Sequence, residues 1–533
     1  MSLDSAGLQV LISRLAGIAD EMGGVLRRSA SSPNIKERAD CSAAVFTPEG
    51  ALLAQAEHIP VHLGSMPASV RAAIDAYGGR LGQGDHVLLN DPFAGGTHLN
   101  DLTLVTPSID RGKLVGWVAN RAHHADVGGA APGSIPADAV EIQQEGLRIP
   151  PSLLTPELRA LLLANSRTPE ERAGDLDAQI GANVVGASRL AHLEGEPFDE
   201  VIEYGERRMR AVLAGVPDGS WSFADVLDST GGDPTQQRDG PARLAVEVAI
   251  RGDVITFDFT GTDPQRRGNV NAVRAVTVSA VAFALRTAVD PSIPANGGSM
   301  APVHVIAPPG TIVAALPPAA VGAGNVEVSQ RVADVCLGAL AQARPDRVGA
   351  AGQGTMNNVL IGGQGWVYYE TVAGGEGGQP TTSTRGAPTP VTDGRRLDAR
   401  THPGRDGMSG IHVGMTNTRN TPIEALERAF PLRVLRYQLR TGSGGEGRFR
   451  GGEGIERDLE VLEDCTLSLI TERRVSSPWG LQGGGAGAIG ENWLLRGGDE
   501  TRIERLPDKC TFRLVAGDVV RILTPGGGGW GPT

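Results

Sequence analysis

The sequence predicts a mixed α/β protein of the α+β kind, with several mixed sheets, helices and a glycine-rich, mainly β C-terminal part. Residues 5–28 keep the three-and-four apolar spacing of an amphipathic helix. Residues 42–55 and 244–259 each form a strand–turn–strand pattern. Glycine supplies 74 of 533 residues, about twice its usual share. From about residue 360 these glycines separate short apolar strands, so they indicate tight turns.

The length of 533 residues exceeds what one ordinary hydrophobic core supports, and it predicts several domains. We expect an N-terminal α/β domain over 1–215 that carries the candidate metal site and a helical segment at 155–214. A central α/β domain is expected over 216–345. A glycine-rich, mainly β domain is expected over 346–533.

The elements of the N-terminal domain follow from local patterns. Asp40 directly precedes a predicted strand at 42–46, which is joined through the turn Thr47–Gly50 to a second strand at 51–55. At the entrance of a strand, the Asp40 side chain can point into a cleft. Residues 66–78 are predicted to be helical. Strands at 102–106 and 114–120 form a predicted hairpin, whose outer ends bring their flanking loops together.

The helical segment and the central domain carry equally local signals. Thr168-Pro169-Glu170-Glu171 has a capping residue, a proline at the first helical position and acids in the first turn, which predicts a helix start. The central domain is predicted to contain strands at 244–250, 254–259, 302–307 and 311–315, and helices at 272–288 and 328–343.

Charge and cysteine use exclude several classes of protein. A formal net charge of −12 argues against nucleic acid or an anionic membrane as a partner. The four cysteines are far apart and form no CxxC pair, so neither a zinc ribbon nor a disulfide framework is indicated. No apolar run approaches ~20 residues, which argues against a membrane span. The first residues lack the pattern of a signal peptide, and a reducing cytoplasm is the expected location.

Histidines concentrate in one part of the chain. Six of the ten histidines lie between His58 and His124, beside aspartates and glycines. Imidazole and carboxylate groups supply lone pairs for a divalent metal, and glycine allows tight turns around an ion. The candidate ligands are Asp40, His98, Asp101 and His123. Two imidazoles and two carboxylates suit Zn, Mn or Fe(II) better than Ca or Mg.

The remaining polar residues of this region receive other predictions. His124, Asp126 and Glu145 are candidate proton carriers or neighbours of the ligands. His58, His62 and His86 are predicted to be structural. The pattern His-x-x-Asp also occurs in ordinary loops, where Asp101 would only cap a turn, so a structural role for this segment is the competing interpretation. Cys41 is predicted to be a packed small residue at a strand start.

At these residues the sequence resembles the hydantoinase B family, which includes the B half of 5-oxoprolinase and the alpha subunits of acetone and related carboxylases. The resemblance extends over essentially the whole chain. Its motifs are residues 32–42, 90–101, 123–129, 144–151, 417–424 and 443–454, and the Pro-Gly-rich tail.

The resemblance implies an ATP-dependent enzyme that works as a hetero-oligomer. A separate A-type subunit would bind ATP with Mg and phosphorylate the substrate, and this B-type chain would carry the metal. The metal ligands of the family map onto Asp40, His98, Asp101 and His123. The family pattern His-x-x-Asp-Val-Gly-Gly selects His123 rather than His124.

The activity implied is hydrolysis of a cyclic amide of the hydantoin or oxoproline type. A metal-activated water would open the ring of the phosphorylated substrate, with His124 or Asp126 moving the proton. One alternative is a subunit of an ATP-dependent ketone carboxylase of the acetone or acetophenone type. A second alternative is a non-catalytic scaffold subunit with a fully ligated structural metal.

Overall fold

A computed structural model describes residues 3–57, 59–229, 240–380, 382–383, 401–402 and 404–533. Within these ranges there are nine α-helices: α1 Ser5–Ser29, α2 Pro33–Lys36, α3 Met66–Tyr77, α4 Pro156–Asn165, α5 Pro169–Ala191, α6 Phe198–Leu213, α7 Arg274–Ala288, α8 Ser329–Ala343 and α9 Ile423–Ala429. The strands of the first two sheets are β1 Cys41–Phe46, β2 Leu52–Glu57, β3 Val87–Leu89, β4 Asp101–Asp110, β5 Lys113–His123, β6 Ser152–Leu153, β7 Gly219–Leu227, β8 Ala242–Arg251, β9 Val254–Asp258 and β10 Val303–Ile306.

The remaining strands all lie after residue 357. They are β11 Asn358–Gly363, β12 Trp366–Thr371, β13 Thr382–Ser383, β14 Thr401–His402, β15 Leu432–Arg440, β16 Gly454–Val461, β17 Cys465–Ile470, β18 Glu491–Leu495, β19 Ile503–Leu506, β20 Lys509–Leu514 and β21 Val519–Leu523.

The N-terminal sheet has six strands in the order β2-β1-β5-β4-β3-β6. Its strands are buried on both faces because helices cover both sides. Cys41, Ala43 and Val45 of β1 point toward the core under α1 and α5, and Ala44 and Phe46 point toward the core under α3. This period of two is the alternation of a pleated strand. The sheet is therefore a rigid platform for side chains at its strand ends.

The central sheet has the order β10-β9-β8-β7, and only its β10–β9 pair is parallel. Helix α8 packs on β7 and β8 and also against α7. A π-helical turn, Gly324–Val328, leads directly into α8. Such turns are rare and often occur at functional sites. This one brings residues of the central region toward the N-terminal sheet.

Two larger sheets form most of the C-terminal part, in the orders β12-β11-β17-β20 and β15-β16-β21-β18-β19. Side chains from both sheets, such as Val359 and Leu469 from one and Leu459 and Val520 from the other, share one hydrophobic core. The glycine tail packs against neighbouring backbone. A Cβ atom on Gly527 would lie 1.9 Å from the carbonyl oxygen of Glu376, so only glycine fits there.

The predicted fold class is confirmed: the chain is a mixed α/β protein with several sheets and a β-rich C-terminal part. The predicted 102–120 hairpin is confirmed as β4 and β5, which pair antiparallel. The predicted domain boundaries near 215 and 345 stay predictions. No helix among the described residues is long and apolar enough to cross a membrane.

The predicted strand at 311–315 is wrong. Thr311 and Ala314 form an isolated bridge with each other. The amide of Ala314 donates to the carbonyl of Thr311 at 3.1 Å, and the amide of Gly310 donates to the carbonyl of Ala314 at 2.9 Å. The chain therefore turns back on itself here, and its apolar side chains Ile312 and Val313 are buried in a turn. A short apolar run alone does not distinguish the two cases.

Candidate metal centre

The candidate site lies at the open end of the β4–β5 hairpin. Asp101 is the first residue of β4 and His123 is the last residue of β5, and the two are paired across the ladder. Side chains that are directly opposite in an antiparallel pair lie close together. The hairpin register thus places a carboxylate beside an imidazole.

The loop before β4 supplies His98. Its shape is fixed by Asn90, whose side-chain amide donates to the carbonyls of Leu99 at 2.7 Å and Leu147 at 2.9 Å. Gly95 has a φ of +96°, and a Cβ atom there would lie 2.6 Å from the carbonyl oxygen of Ala68. The glycine therefore permits the tight turn that brings His98 back over the strand end.

Three imidazoles surround the carboxylate of Asp101. His98 Nε2 lies 3.1 Å and His123 Nδ1 lies 3.4 Å from Asp101 Oδ1. His62 Nε2 lies 3.4 Å from Asp101 Oδ2. The hydroxyl of Thr97 donates to Oδ2 at 2.6 Å, and Asn325 Nδ2 of the π-helical turn lies 3.4 Å from the same atom. All of these side chains are buried.

This donor set fits a metal ion. The group consists of three ligand atoms that all lie within 4.8 Å of one another, one each from His98, Asp101 and His123. His98 Nδ1 and His123 Nε2 are buried without a hydrogen-bond partner in the part of the chain that the structure describes. Unpaired buried polar atoms are costly and call for an explanation. Two imidazoles and a carboxylate are ligands that Zn, Mn and Fe(II) accept.

Burial and mutual contact set the protonation of the cluster. Burial raises the pKa of Asp101, but its contacts with His98, His123 and His62 outweigh burial and hold that pKa well below the usual range. Burial lowers the pKa of His123 to about 3 and also lowers that of His62. His62 and His123 are therefore neutral and Asp101 is charged at neutral pH, so their lone pairs are available.

Asp40, the fourth candidate ligand, lies on the edge of this cluster. Its carbonyl accepts from the amide of His123 at 3.1 Å, and its side chain is buried. Burial raises the pKa of Asp40 to about 7, against the lowering effect of Arg38. The carboxylate is not part of the three-atom group within 4.8 Å, but it lines the same cavity as Asp101 and His123.

That cavity has a volume of about 20 Å³, which is room for about one water molecule. It is lined by Asp40, His62, Asp101 and His123 of the N-terminal part. Tyr369, Thr371, Thr416 and Thr418 of the C-terminal part line it as well. The site is therefore completed by residues more than 200 positions away in sequence.

His124 is turned away from the cluster. Its Nε2 lies 2.9 Å from Gln179 Oε1 of α5, and its neighbour His123 points to the opposite side, as expected at a strand end. Burial lowers the pKa of His124 to about 4.

Asp126 and Glu145 also bind other groups. Asp126 accepts from the amides of Gly128 and Gly133 and from Arg167. Glu145 accepts from the amides of Val321 and Gly322, and burial raises its pKa to about 8. These contacts fix loops, and the proton-carrying roles of these residues and of His124 remain predictions.

Several site residues were not anticipated from the sequence. His62 was expected to be structural, but it contacts Asp101, and its Nδ1 lies 2.9 Å from Ser42 Oγ. Its place in the histidine-rich segment was the only signal. Asn325 and Tyr369 carried no local signal. His86 lies 2.7 Å from Thr106 Oγ1, away from the cluster, and His58 lies outside the described residues.

The chain belongs to the hydantoinase B/oxoprolinase family, whose sequence profile matches residues 4–533. An uncharacterized protein of Methanocaldococcus jannaschii is 41% identical over 99% of this chain and 91% of its own length. The 5-oxoprolinase 1 of Arabidopsis thaliana is 38% identical over 99% of this chain. The match covers 42% of the plant protein, so this chain spans about two fifths of that relative. The B subunit of a putative D-/L-hydantoinase from a Pseudomonas species is 30% identical over 99% of this chain and 90% of its own length.

Two solved structures share the fold. The ATP-dependent caprolactamase from Pseudomonas jessenii has a TM-score of 0.86 and 28% identity, and the match covers 100% of this chain and 92% of that one. A nucleotide-free acetone carboxylase has a TM-score of 0.85 and 19% identity, over 98% of this chain and 75% of that one. At this identity the second likeness concerns the fold alone.

Proposed function

We propose that this chain is the B-type subunit of an ATP-dependent cyclic-amide hydrolase and that it opens the ring of a substrate activated by phosphorylation. The observation that carries the proposal is the buried group of His98, Asp101 and His123. Some of its imidazole nitrogens have no partner within the described part of the chain, and Asp101 and His123 line a water-sized cavity. The names of two relatives, a 5-oxoprolinase and a putative hydantoinase, support the substrate class.

His98, Asp101 and His123 would hold the metal, with Asp40 at the edge of the cavity as the fourth ligand. A divalent Zn, Mn or Fe ion bound there supplies a Lewis acid that polarises a carbonyl and lowers the pKa of water. Asp101 and His123 line the cavity, which favours an open coordination position beside these two donors. A purely structural metal site would be closed by protein ligands, so the scaffold alternative is less well supported.

The chain itself contributes orientation and exclusion of water. Thr371, Thr416 and Thr418 line the cavity, and a threonine hydroxyl can donate a hydrogen bond to a substrate oxygen. The side chain of Arg38 is fully buried and donates to Thr371 Oγ1 at 3.0 Å. Its positive charge favours negative charge on the substrate at this wall, and burial strengthens that effect.

The proposed partner is an A-type subunit that binds ATP and Mg. A cyclic amide is stabilised by resonance, and phosphorylation of its oxygen makes the carbon electrophilic. The fraction of the plant 5-oxoprolinase matched by this chain, 42%, leaves more than half of that relative for other activities. The name of the Pseudomonas relative describes one subunit of a hydantoinase, which supports a divided enzyme.

The test is reconstitution of the chain with its A-type partner, ATP and a panel of cyclic amides. We expect near one metal per chain by plasma mass spectrometry, ring opening only with all components, and neither metal nor activity in folded His98→Ala. His304→Ala, which removes an exposed histidine, is the matched control and should keep both. Ring opening by the isolated chain without ATP, or full activity without bound metal, would refute the proposal.

The same reconstitution separates the carboxylase alternative, which the shared fold leaves open. Labelled bicarbonate is supplied with ATP and either a ketone or a cyclic amide. We expect no label in the products and accumulation of the ring-opened amino acid. Incorporation of label into a ketone would assign the chain to the carboxylase group instead.

A further inference from the structure

Tyr369 of β12 lies directly against a proposed ligand of the N-terminal sheet. Its ring stacks on the imidazole of His123 with a centroid distance of 4.6 Å and an interplanar angle of 16°. The two residues come from different sheets and are 246 positions apart in the sequence. Nothing in the local pattern of either strand requires this contact.

The imidazole of His123 has few other constraints. Its Nδ1 faces Asp101 at 3.4 Å, and its Nε2 has no hydrogen-bond partner among the described residues. A metal-binding histidine usually donates its second nitrogen to a carboxylate or carbonyl outside the site, which fixes the ring. Among the residues that the structure describes, the only such contact of the ring is with Asp101, which belongs to the same cluster. The stacked phenol ring takes the place of that outer partner.

Tyr369 is itself held at several points. Its hydroxyl donates to Asn358 Oδ1 at 2.9 Å, and Asn358 Nδ2 donates to Glu327 Oε1 at 2.9 Å. Arg38 Nη1 donates to the carbonyl of Tyr369 at 2.9 Å, and its guanidinium lies 4.8 Å from the ring centroid. The ring is therefore fixed at its tip, its backbone and one face.

The π-helical turn Gly324–Val328 completes this support. Asn325 of the turn reaches Asp101, and Glu327 of the same turn holds Asn358. Both side chains are buried. One element thus braces both Asp101 and, through Asn358 and Tyr369, the ring of His123.

We propose that Tyr369 is a positioning residue that fixes the imidazole plane of His123 by stacking, and with it the direction of the ring nitrogens that would bind the metal. The inference rests on the proposed metal function of this cluster. The flat ring carries the effect, and the hydroxyl only anchors that ring. Loss of the ring should therefore weaken metal binding more than loss of the hydroxyl.

The test is a titration of the metal-free chain with Co²⁺, read by visible absorption. Tyr369→Phe keeps the ring and should bind within about 2-fold of wild type. Tyr369→Leu should weaken binding by about 10- to 100-fold, the range for lost outer contacts of metal ligands, and should change the absorption bands. Tyr369→Met fills a similar volume with a flexible chain and serves if the leucine variant does not fold.

Tyr204→Leu is the matched control, because Tyr204 stands on α6 beside Arg208 and away from the cluster. It should bind Co²⁺ like wild type. Equal affinity and an unchanged spectrum in a folded Tyr369→Leu or Tyr369→Met variant would overturn the inference while the metal function stands. If the wild-type chain binds no Co²⁺, the proposed metal function fails, and the inference fails with it.

Discussion

Two buried polar regions of this protein differ in how completely their groups are paired. Around Asp101, three imidazoles face one carboxylate, and His98 Nδ1 and His123 Nε2 have no hydrogen-bond partner among the described residues. Around Glu472, in contrast, Lys509 and Arg331 approach the carboxylate from both sides. Both regions lie in low dielectric, where unpaired polar atoms are expensive.

The second region extends as a network of ion pairs. Arg331 also pairs with Asp225 at 3.0 Å, and Arg473 joins Asp225 at 2.7 Å to Asp334 at 2.8 Å. Burial raises the pKa of Glu472 to about 7 in spite of Lys509. Here cations of the chain satisfy the acids. Around Asp101 the described chain supplies no lysine or arginine within ion-pair distance, so that place suits an external cation.

The largest effect is expected from Asp101→Asn. The change keeps the shape of the side chain but removes the charge that three imidazoles face. We expect bound metal to fall from near one per chain to near zero and activity in the reconstituted complex to fall by at least about 10³-fold, or about 4 kcal/mol. Metal analysis and initial rates measure this. A variant that keeps its metal would show that Asp101 is structural.

The ion-pair network should respond in stability and not in metal binding. Lys509→Met leaves Glu472 without its closest cation in a buried place, and we expect a loss of about 3 kcal/mol in the free energy of unfolding. Urea unfolding measures it. Lys113→Met removes an exposed lysine paired with Glu194 at 3.0 Å and should cost at most about 1 kcal/mol. Equal losses of unfolding free energy in the two variants, or loss of bound metal in Lys509→Met, would show that the two regions do not differ in this way.

The sequence was sufficient to predict the parts of the metal centre that depend on local sequence pattern. Short apolar segments within 42–55 and 102–120 predicted strands, and the turn at 110–113 predicted a hairpin whose outer ends bring the loops of Asp101 and His123 together. His98 followed from its spacing to Asp101. These are contacts within one supersecondary unit, where neighbours in sequence are neighbours in space.

The other half of the site depends on packing between distant segments. Tyr369 and Asn325 reach the cluster from β12 and from the π-helical turn, and no periodicity in one segment specifies the position of another. The same limit applies to His124. Its strand-end position is visible in the sequence, but its contact with Gln179 depends on where α5 packs.

Substitution of Glu145 tests whether this buried acid takes part in the proposed reaction or only stabilises the fold. Burial raises its pKa in the folded chain from an ordinary 4.5 to about 8. Its contribution to stability is therefore fully present below about pH 4.5 and is lost as the pH rises through about 8. In Glu145→Gln this loss should disappear, so the melting temperature of the variant relative to wild type should rise as the pH increases from about 4.5 to about 8, the interval between the two pKa values.

Thermal unfolding at several pH values measures the Glu145 effect, and metal content is the control. If Glu145 only holds the amides of Val321 and Gly322, metal content and activity in Glu145→Gln remain close to wild type. A variant with normal metal and a greatly reduced turnover rate would instead support the predicted proton-carrying role.

The smallest effect on metal binding is expected from substitution of His62. This substitution tests whether His62 binds the metal or only contacts a residue that does. Its Nδ1 contacts Ser42 and its Nε2 contacts Asp101, so it orients the carboxylate and is not one of the three grouped donors. His62→Gln should weaken Co²⁺ binding by about 10-fold, the lower end for an outer contact, while the visible spectrum keeps the wild-type band pattern. Complete loss of binding would make His62 a ligand.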